Sequence, residues 1–151
     1  MLNMIIENRK ARHNYEVLEK YTAGLVLHGS EVKSLKAGKA GISEAYCYAN
    51  LNCNEVWIKG MHIAKHDSDK YTNHEEYRER KLLLNKREIR KIADKLMIPG
   101  IALVPLKIFV TKTGLLKIDI AICKGKKDYD KREDIKKRDN DRELDRIRKS
   151  F

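Results

Sequence analysis

The sequence predicts a mainly β protein, in which a closed β-barrel with flanking helices is followed by a charged tail. Apolar runs with the alternation of strands, separated by turn residues, recur through the first 124 residues. Helical spacing is confined to two segments, near 30–37 and 82–97. After residue 124 charged residues dominate the composition. Because 151 residues can bury one modest core, we predict one barrel domain over 1–124 and a tail over 125–151.

The first strands and the first helix follow each other closely. Residues 15–28 contain two apolar, partly alternating runs separated by 22–24, which predicts a pair of short strands. Ser30 is a residue type that is favoured at a helix N-cap, and apolar side chains follow it at helical spacing. We therefore predict a short helix over 30–37 that ends at Gly38.

Two hairpins are predicted farther along the chain. Residues 44–51 and 55–63 are strand-like, and the asparagine-containing connection between them favours a tight turn. Residues 101–111 and 115–124 are two further β-rich runs, joined by a short loop that ends in Gly114. This last pair of strands would complete the barrel.

Between the two hairpins lie a polar segment and an amphipathic one. Residues 65–79 carry almost no aliphatic side chains, so we expect a mobile or partner-ordered contact loop. Residues 82–97 place apolar side chains on one helical face and Lys and Arg on the other. We predict that this helix closes the core and ends at Pro99 and Gly100.

The charge balance favours a polyanionic partner. The chain has 33 Lys and Arg against 22 Asp and Glu, a formal net charge of +11. RNA, DNA and an anionic membrane surface would each fit this excess, as would a merely soluble basic protein. The N-terminal apolar stretch is too short for a signal peptide and no later stretch approaches a membrane span, so we expect a cytoplasmic protein. Cys47, Cys53 and Cys123 are expected to be reduced core thiols.

Catalytic motifs are not recognisable in the sequence. His62 and His66 could chelate a metal only on a helix, and this stretch reads as the end of a strand. There is no glycine-rich phosphate loop and no nucleophile elbow. We therefore predict no enzymatic activity, no metal site and no cofactor; a nuclease is the alternative that an RNA degradation assay would reveal.

Residues that suit RNA binding occur at several places. Residues 8–14 put three fixed cations before the first predicted strand, although an ordinary exposed arm has the same composition. Tyr71, Tyr77 and Tyr129 lie among charged residues and suit stacking on unpaired bases, unless they are incidental surface tyrosines. Glu31 would either stabilise a helix N-terminus through the helix dipole or accept hydrogen bonds from base edges.

The tail is a charged segment with helical spacing. From residue 124 to the end, 12 basic and 8 acidic side chains make up 20 of 28 residues. Opposite charges recur four residues apart, as in Asp134 and Arg138. Because an isolated helix of this length is marginal in water, we predict a tail that is disordered when free and helical when bound. A solvated tail that only aids solubility is the alternative.

Six stretches of this sequence, in this order and spacing, resemble the SsrA-binding protein family, also called small protein B. The stretches are 8–15, 21–27, 29–35, 80–89, 103–107 and 124–133. The resemblance implies an oligonucleotide-binding (OB) fold and a partner, the tRNA-like domain of transfer-messenger RNA. It also implies delivery of that RNA to stalled ribosomes for trans-translation, with the tail probing the decoding centre and the empty mRNA channel.

The resemblance also implies which residues contact each partner. Those expected at the transfer-messenger RNA are Arg9, Lys10, Arg12, Asn14, Glu31, Lys33, Lys81 and Lys124. Those expected in the decoding centre and the mRNA channel are Gly125, Lys126, Tyr129, Asp130, Lys131, Arg132 and Ile147. The chain departs from the family pattern at Lys65 and His66, where many members have Pro and Tyr, and at Asn85, where many have His.

A second function remains open from the sequence alone. A general RNA chaperone or a ribosome-associated RNA-binding protein would have the same charge and would bind an ordinary tRNA about as well. In either case we expect a monomer, because the basic faces and the tail repel copies of themselves.

Overall fold

The computed structural model describes residues 3–66 and 73–126, together with Arg138 and Arg142. The strands in these ranges are β1 (Asn3–Glu7), β2 (Tyr15–Leu25), β3 (Ala40–Gly41), β4 (Tyr46–Asn50), β5 (Glu55–Lys59), β6 (His62–Ile63), β7 (Arg80–Leu83), β8 (Ile101–Val110) and β9 (Leu116–Gly125). The helices are α1 (Arg9–Asn14), α2 (Gly29–Lys36) and α3 (Lys86–Leu96). None of the helices in these ranges has the length and apolarity that a membrane crossing requires.

The large sheet closes on itself. Its strand order is β1-β8-β4-β5-β7-β2-β9, and β9 also pairs with β8, so the strands from β8 to β9 form a ring. All of these pairings are antiparallel. Register shifts in β2 after Val17 and in β8 after Pro105 let these long strands bend around the ring. The closed, OB-fold-like barrel predicted from the sequence is confirmed.

The core fills the ring and is covered by α3. Alternate residues of the strands point inward, and Val56, Ile58, Ile118 and Ile120 have no exposed surface. Ile92 on the apolar face of α3 is equally buried and joins this cluster. The prediction that this helix closes the core is therefore confirmed.

The prediction of two short strands over 15–28 is wrong. A single strand, β2, pairs with β9 from Tyr15 to Gly24 without a turn. Gly24 is needed for a close approach: a Cβ there would lie 3.2 Å from the Cβ of Leu83 on the neighbouring strand. Glycine marks a tight contact between strands at this position, and the sequence pattern alone did not distinguish that from a turn.

Both predicted helices exist, but their starts differ from the prediction. α2 begins at Gly29 after His28, and Ser30 is buried inside its first turn rather than acting as the cap. α3 begins at Lys86 rather than at residue 82, because Arg80–Leu83 forms strand β7. A short apolar run can be strand or helix, and here pairing with β5 decides for strand.

Asn85 marks the start of α3. Its side chain accepts a hydrogen bond from the amide of Glu88 at 2.9 Å, while the Glu88 carboxylate accepts one from the amide of Asn85 at 3.3 Å. This reciprocal cap starts the helix directly after β7. The ends of both helices were predicted correctly, since Gly38 and Gly100 follow them with positive φ angles of 75° and 83°.

The cysteines divide between core and surface. Cys47 and Cys123 are buried, as predicted. Cys53 is exposed in the turn between β4 and β5, so the expectation of a third core thiol is wrong.

Candidate nucleic-acid interface

Residues 9–14 form the short helix α1 with Asn8 as its N-cap, a structure that their composition did not predict. The Asn8 side chain accepts a hydrogen bond from the amide of Ala11 at 3.1 Å and donates to the carbonyls of Pro105 at 2.8 Å and Ile42 at 3.3 Å. Ala11 packs in a small apolar cluster with Val104. These contacts attach α1 to the barrel and leave its cationic side chains at the surface.

The end of β9 lies beside α1. Tyr15 at the start of β2 pairs with Gly125 at the end of β9. The amide of Lys126 donates to the carbonyl of Asn14 at 2.9 Å, and the Lys126 ammonium donates to the carbonyl of Arg12 at 3.2 Å. We refer to residues 9–16 and 124–126 together as the α1 corner.

The α1 corner is strongly cationic. Arg9, Lys10, Arg12, Lys124 and Lys126 all belong to it. Two of them have carboxylate partners that lie next to the corner: Lys10 is 2.7 Å from Glu44, and Arg12 is 2.8 Å from Glu7. Within residues 3–66 and 73–126, Arg9 and Lys124 form no ion pair and are exposed. Exposed, unpaired cations of this kind can contact phosphate without first breaking a protein contact.

A cleft of mixed polar and apolar lining opens beside α1, at the edge of the same corner. It has a volume of about 300 Å³. Its walls include Lys10, Asn14, Tyr15, Ser43 and Tyr46. Amide, hydroxyl and aromatic groups beside a cation are the groups that bind a sugar, a base edge or a phosphate.

Glu31 is far less accessible than the sequence led us to expect. Its side chain has no exposed surface. One carboxylate oxygen accepts from the amide of His28 at 2.9 Å and from Arg78 at 2.5 Å, and the other accepts from Nε of Arg80. We refer to Glu31, Arg78 and Arg80 as the Glu31 cluster. Both oxygens are occupied, so the expectation that this carboxylate accepts hydrogen bonds from base edges is not met in this arrangement.

The Glu31 cluster keeps its charges despite burial. Burial by itself would raise the pKa of Glu31, but the His28 amide and the two guanidinium groups outweigh it and hold that pKa below its ordinary value. Burial lowers the pKa of Arg80, and the adjacent carboxylate of Glu31 opposes this effect. A buried ion pair of this kind is costly to break from one side, because the remaining partner stays buried and uncompensated.

Arg80 also connects the Glu31 cluster to the polar segment before β7. Its guanidinium donates to the carbonyls of Met61 at 2.8 Å, Glu75 at 3.3 Å and Glu76 at 3.2 Å. Residues 73–79 are therefore attached to the barrel by hydrogen bonds within this chain, so the mobile or partner-ordered loop predicted over 65–79 does not extend over this part.

His74 strengthens the same attachment. This buried ring lies between the Ser30 hydroxyl, 2.8 Å from Nδ1, and the carbonyl of Ile63, 2.9 Å from Nε2. The carbonyl can only accept, so Nε2 donates to it, while Nδ1 is within hydrogen-bond distance of the serine hydroxyl. Asn73 adds two bonds to the backbone of His66, each of 2.9 Å.

The family model described as "SmpB protein" matches residues 5–150 of this chain. The chain belongs to the SmpB family. An SsrA-binding protein of Phocaeicola vulgatus is 47% identical over 142 residues, which cover 94% of this chain and 93% of the relative. An SsrA-binding protein of Chlorobium chlorochromatii is 49% identical over 146 residues, which cover 97% of this chain and 92% of the relative.

The likeness extends to three dimensions. A solved chain described as "tmRNA-SmpB: a journey to the center of the bacterial ribosome" superposes with a TM-score of 0.68 at 41% identity. The superposition covers 82% of this chain and 85% of the solved one. The SmpB fold is therefore shared over most of the barrel.

This SmpB family member does not bring all predicted RNA contacts to one place. Lys33 is exposed on α2, and Lys81 on β7 lies 3.1 Å from Glu55. Lys81 lies next to the C-terminal end of β2, because the carbonyl of Lys81 accepts a hydrogen bond from the amide of Val26, the residue that follows this strand. Lys81 and the α1 corner therefore lie at opposite ends of the 11-residue strand β2.

Most of the tail residues named above lie outside the described residues. These are Tyr129, Asp130, Lys131, Arg132 and Ile147. The prediction of a tail that becomes helical on binding also concerns this part of the chain. Gly125 and Lys126, by contrast, belong to the α1 corner.

Sequence reasoning missed the residues that organise this SmpB surface from inside. Asn8, His74, Arg78 and Arg80 were not predicted to have roles. One signal was available for Arg80: in a strand it shares its face with Leu82, so the pattern places a guanidinium on the core side. Among the described residues, no group of three or more His, Cys, Asp and Glu side chains could hold a metal ion.

Proposed function

We propose that this chain is an RNA-binding adaptor of trans-translation. It binds the tRNA-like domain of transfer-messenger RNA and delivers that RNA to stalled ribosomes. Relatives that are named SsrA-binding proteins and a solved tmRNA-SmpB structure support this proposal. A ribosomal partner would place the protein in the cytoplasm, where we expect it to act as a monomer.

The α1 corner is the observation that carries the proposal. It joins cations from both ends of the barrel sequence on one surface, with two of them unpaired within residues 3–66 and 73–126. Phosphate contacts from Arg9, Arg12 and Lys124 would orient the RNA, and Lys10 and Asn14 line the cleft where a sugar or base edge would bind. Lys33 and Lys81 would contact a more distant part of the same RNA.

The tail would act at the ribosome. Lys126 is bonded to α1, so the chain leaves the barrel at the corner that we assign to the RNA. Gly125, Lys126 and the residues that follow would reach the decoding centre, where Tyr129 would stack on a ribosomal base. Farther along, Ile147 would help to seat the tail in an mRNA channel that is empty. Neither step requires the protein to catalyse a reaction.

A salt-series titration tests this function. Binding of the full chain to the tRNA-like domain is compared with binding to an elongator tRNA of equal length. We expect a preference for the tRNA-like domain that persists at moderate salt. Equal affinities for the two RNAs that decrease together as salt increases would instead identify a general RNA-binding protein, which recognises only the phosphate backbone.

A further inference from the structure

Tyr77 is an exposed aromatic residue in an otherwise anchored segment. Its side chain is 61% exposed. Its ring lies against the ring of His62, with centroids 4.9 Å apart and planes inclined by 40°. His62 is itself held in place, since its Nε2 lies 3.0 Å from the Glu76 carboxylate. Among the described residues the tyrosine thus has one ring neighbour, and it keeps most of its area in solvent.

The backbone around Tyr77 is fixed on both sides. Glu76 accepts a bond from the amide of Ile63 at 3.0 Å and another from Arg80. On the other side, Arg78 reaches Glu31 with its side chain and the Glu75 carbonyl with its amide. A ring that is already ordered loses little conformational entropy when a ligand binds to it.

The local charge favours stacking over phosphate binding. Lys65 is exposed nearby in the chain and Arg78 is 28% exposed, but Glu75 is also exposed and Glu76 is paired with His62. The described surroundings thus mix both signs of charge, unlike the α1 corner, where cations predominate. Bases stack on aromatic rings without needing an adjacent positive charge. Removal of one such stacking contact clearly weakens binding of the nucleic acid.

We propose that Tyr77, backed by His62, is a stacking site for an unpaired base of the bound RNA. Glu31 and Arg80 position this site from inside the barrel and do not touch the RNA. This proposal rests on the proposed function, because it assigns a second contact to the same RNA. The site lies with the Glu31 cluster, which packs at the far end of β2 from the α1 corner.

The test compares Tyr77→Ala with Tyr77→Phe in the salt-series titration against the tRNA-like domain. We expect alanine to weaken binding by about 5- to 100-fold, with the salt dependence unchanged, and phenylalanine to keep the wild-type affinity within about twofold. Leu51→Ala is the matched control, because Leu51 is also 61% exposed but lies in the turn between β4 and β5. It should bind as the wild type does.

Each other result overturns one specific statement. If Tyr77→Ala binds normally while the wild type still prefers the tRNA-like domain, the stacking site is refuted and the proposed function stands. Equal losses in the alanine and phenylalanine variants would also refute stacking. A wild type without preference refutes the proposed function itself.

A double-mutant cycle tests the positioning role of Glu31. If Glu31 acts through Tyr77, then Glu31→Gln should weaken binding, and adding it to Tyr77→Ala should cause little further loss. Losses that multiply would show that Glu31 affects the RNA independently. Ser30→Ala serves as a milder second variant should Glu31→Gln not fold. Ser30 is buried and bonded to His74. We therefore expect Ser30→Ala alone to weaken RNA binding less than Glu31→Gln does, and to cause little further loss of affinity when it is added to Tyr77→Ala.

Discussion

The α1 corner and the Glu31 cluster use similar residue types in opposite ways. In the α1 corner, Arg and Lys side chains remain in solvent, and the two carboxylates that pair with them are partly exposed at Glu7 and largely exposed at Glu44. In the Glu31 cluster, Arg80 and Glu31 have no exposed surface and satisfy each other inside the barrel. Charged residues of this barrel therefore have two roles. Exposed cations attract phosphate, whereas buried ion pairs determine the shape of the surface above them.

The largest effect that separates the two regions is expected in stability. Glu31→Ala should reduce the free energy of unfolding by about 3–5 kcal/mol, because it leaves two arginines facing a buried gap. Glu44→Ala, which removes the surface partner of Lys10, should change it by only about 0–1 kcal/mol. Urea unfolding of both variants measures the difference. Equal effects would mean that burial does not distinguish the two ion pairs.

Acidification should reveal the same contrast. The pKa of Glu31 is held below its ordinary value of 4.5, so the folded state binds fewer protons than the unfolded one. Its contribution is therefore present above pH 4.5 and is lost as the pH falls through the lowered pKa. We expect the free energy of unfolding of the wild type to decline more steeply below this pH than that of Glu31→Gln. Parallel declines would assign the acid sensitivity to other carboxylates.

A smaller effect is expected at the cap of α1. Asn8→Ala should cost about 2 kcal/mol of stability and also weaken RNA binding, because the buried amide that attaches the helix is lost. Asn85→Ala removes the exposed cap of α3 and is the matched control, with a loss of about 1 kcal/mol and unchanged RNA affinity. Unfolding curves and RNA titrations of both variants test this. If both lose RNA affinity alike, attachment of α1 has no special role.

The smallest effect concerns single cations in the α1 corner. Arg12→Ala and Lys124→Ala should each lower the slope of log affinity against log salt by about 1, with little change in stability. Lys112→Ala, in the loop before β9 and thus at the other end of that strand from Lys124, should leave the slope unchanged. A series of titrations in increasing salt gives these slopes. An unchanged slope in the first two variants would remove these side chains from the phosphate contacts.

Much of the fold could be predicted because its signals are local. Gly38 and Gly100 end their helices by backbone conformation alone, and the strands around Ile58 and Ile120 show their inward face by alternation. The failures share one cause. Gly24 is compatible with a turn or with a continuous strand, and the apolar run after Arg80 is compatible with a helix or with a strand. In both cases contact with the neighbouring strand decides which structure forms.

The sequence by itself determined the barrel, the positive charge, the family and the cations of the α1 corner. Only the tertiary structure decided which charges face water. Glu31 and Arg80 lie far apart in the chain, and nothing local shows that each provides the counter-charge that makes burial of the other possible. Likewise, Arg12 and Lys124 share a surface only because β2 and β9 pair along their length. Pairing between distant segments is a property of the closed sheet, which no single stretch of sequence contains.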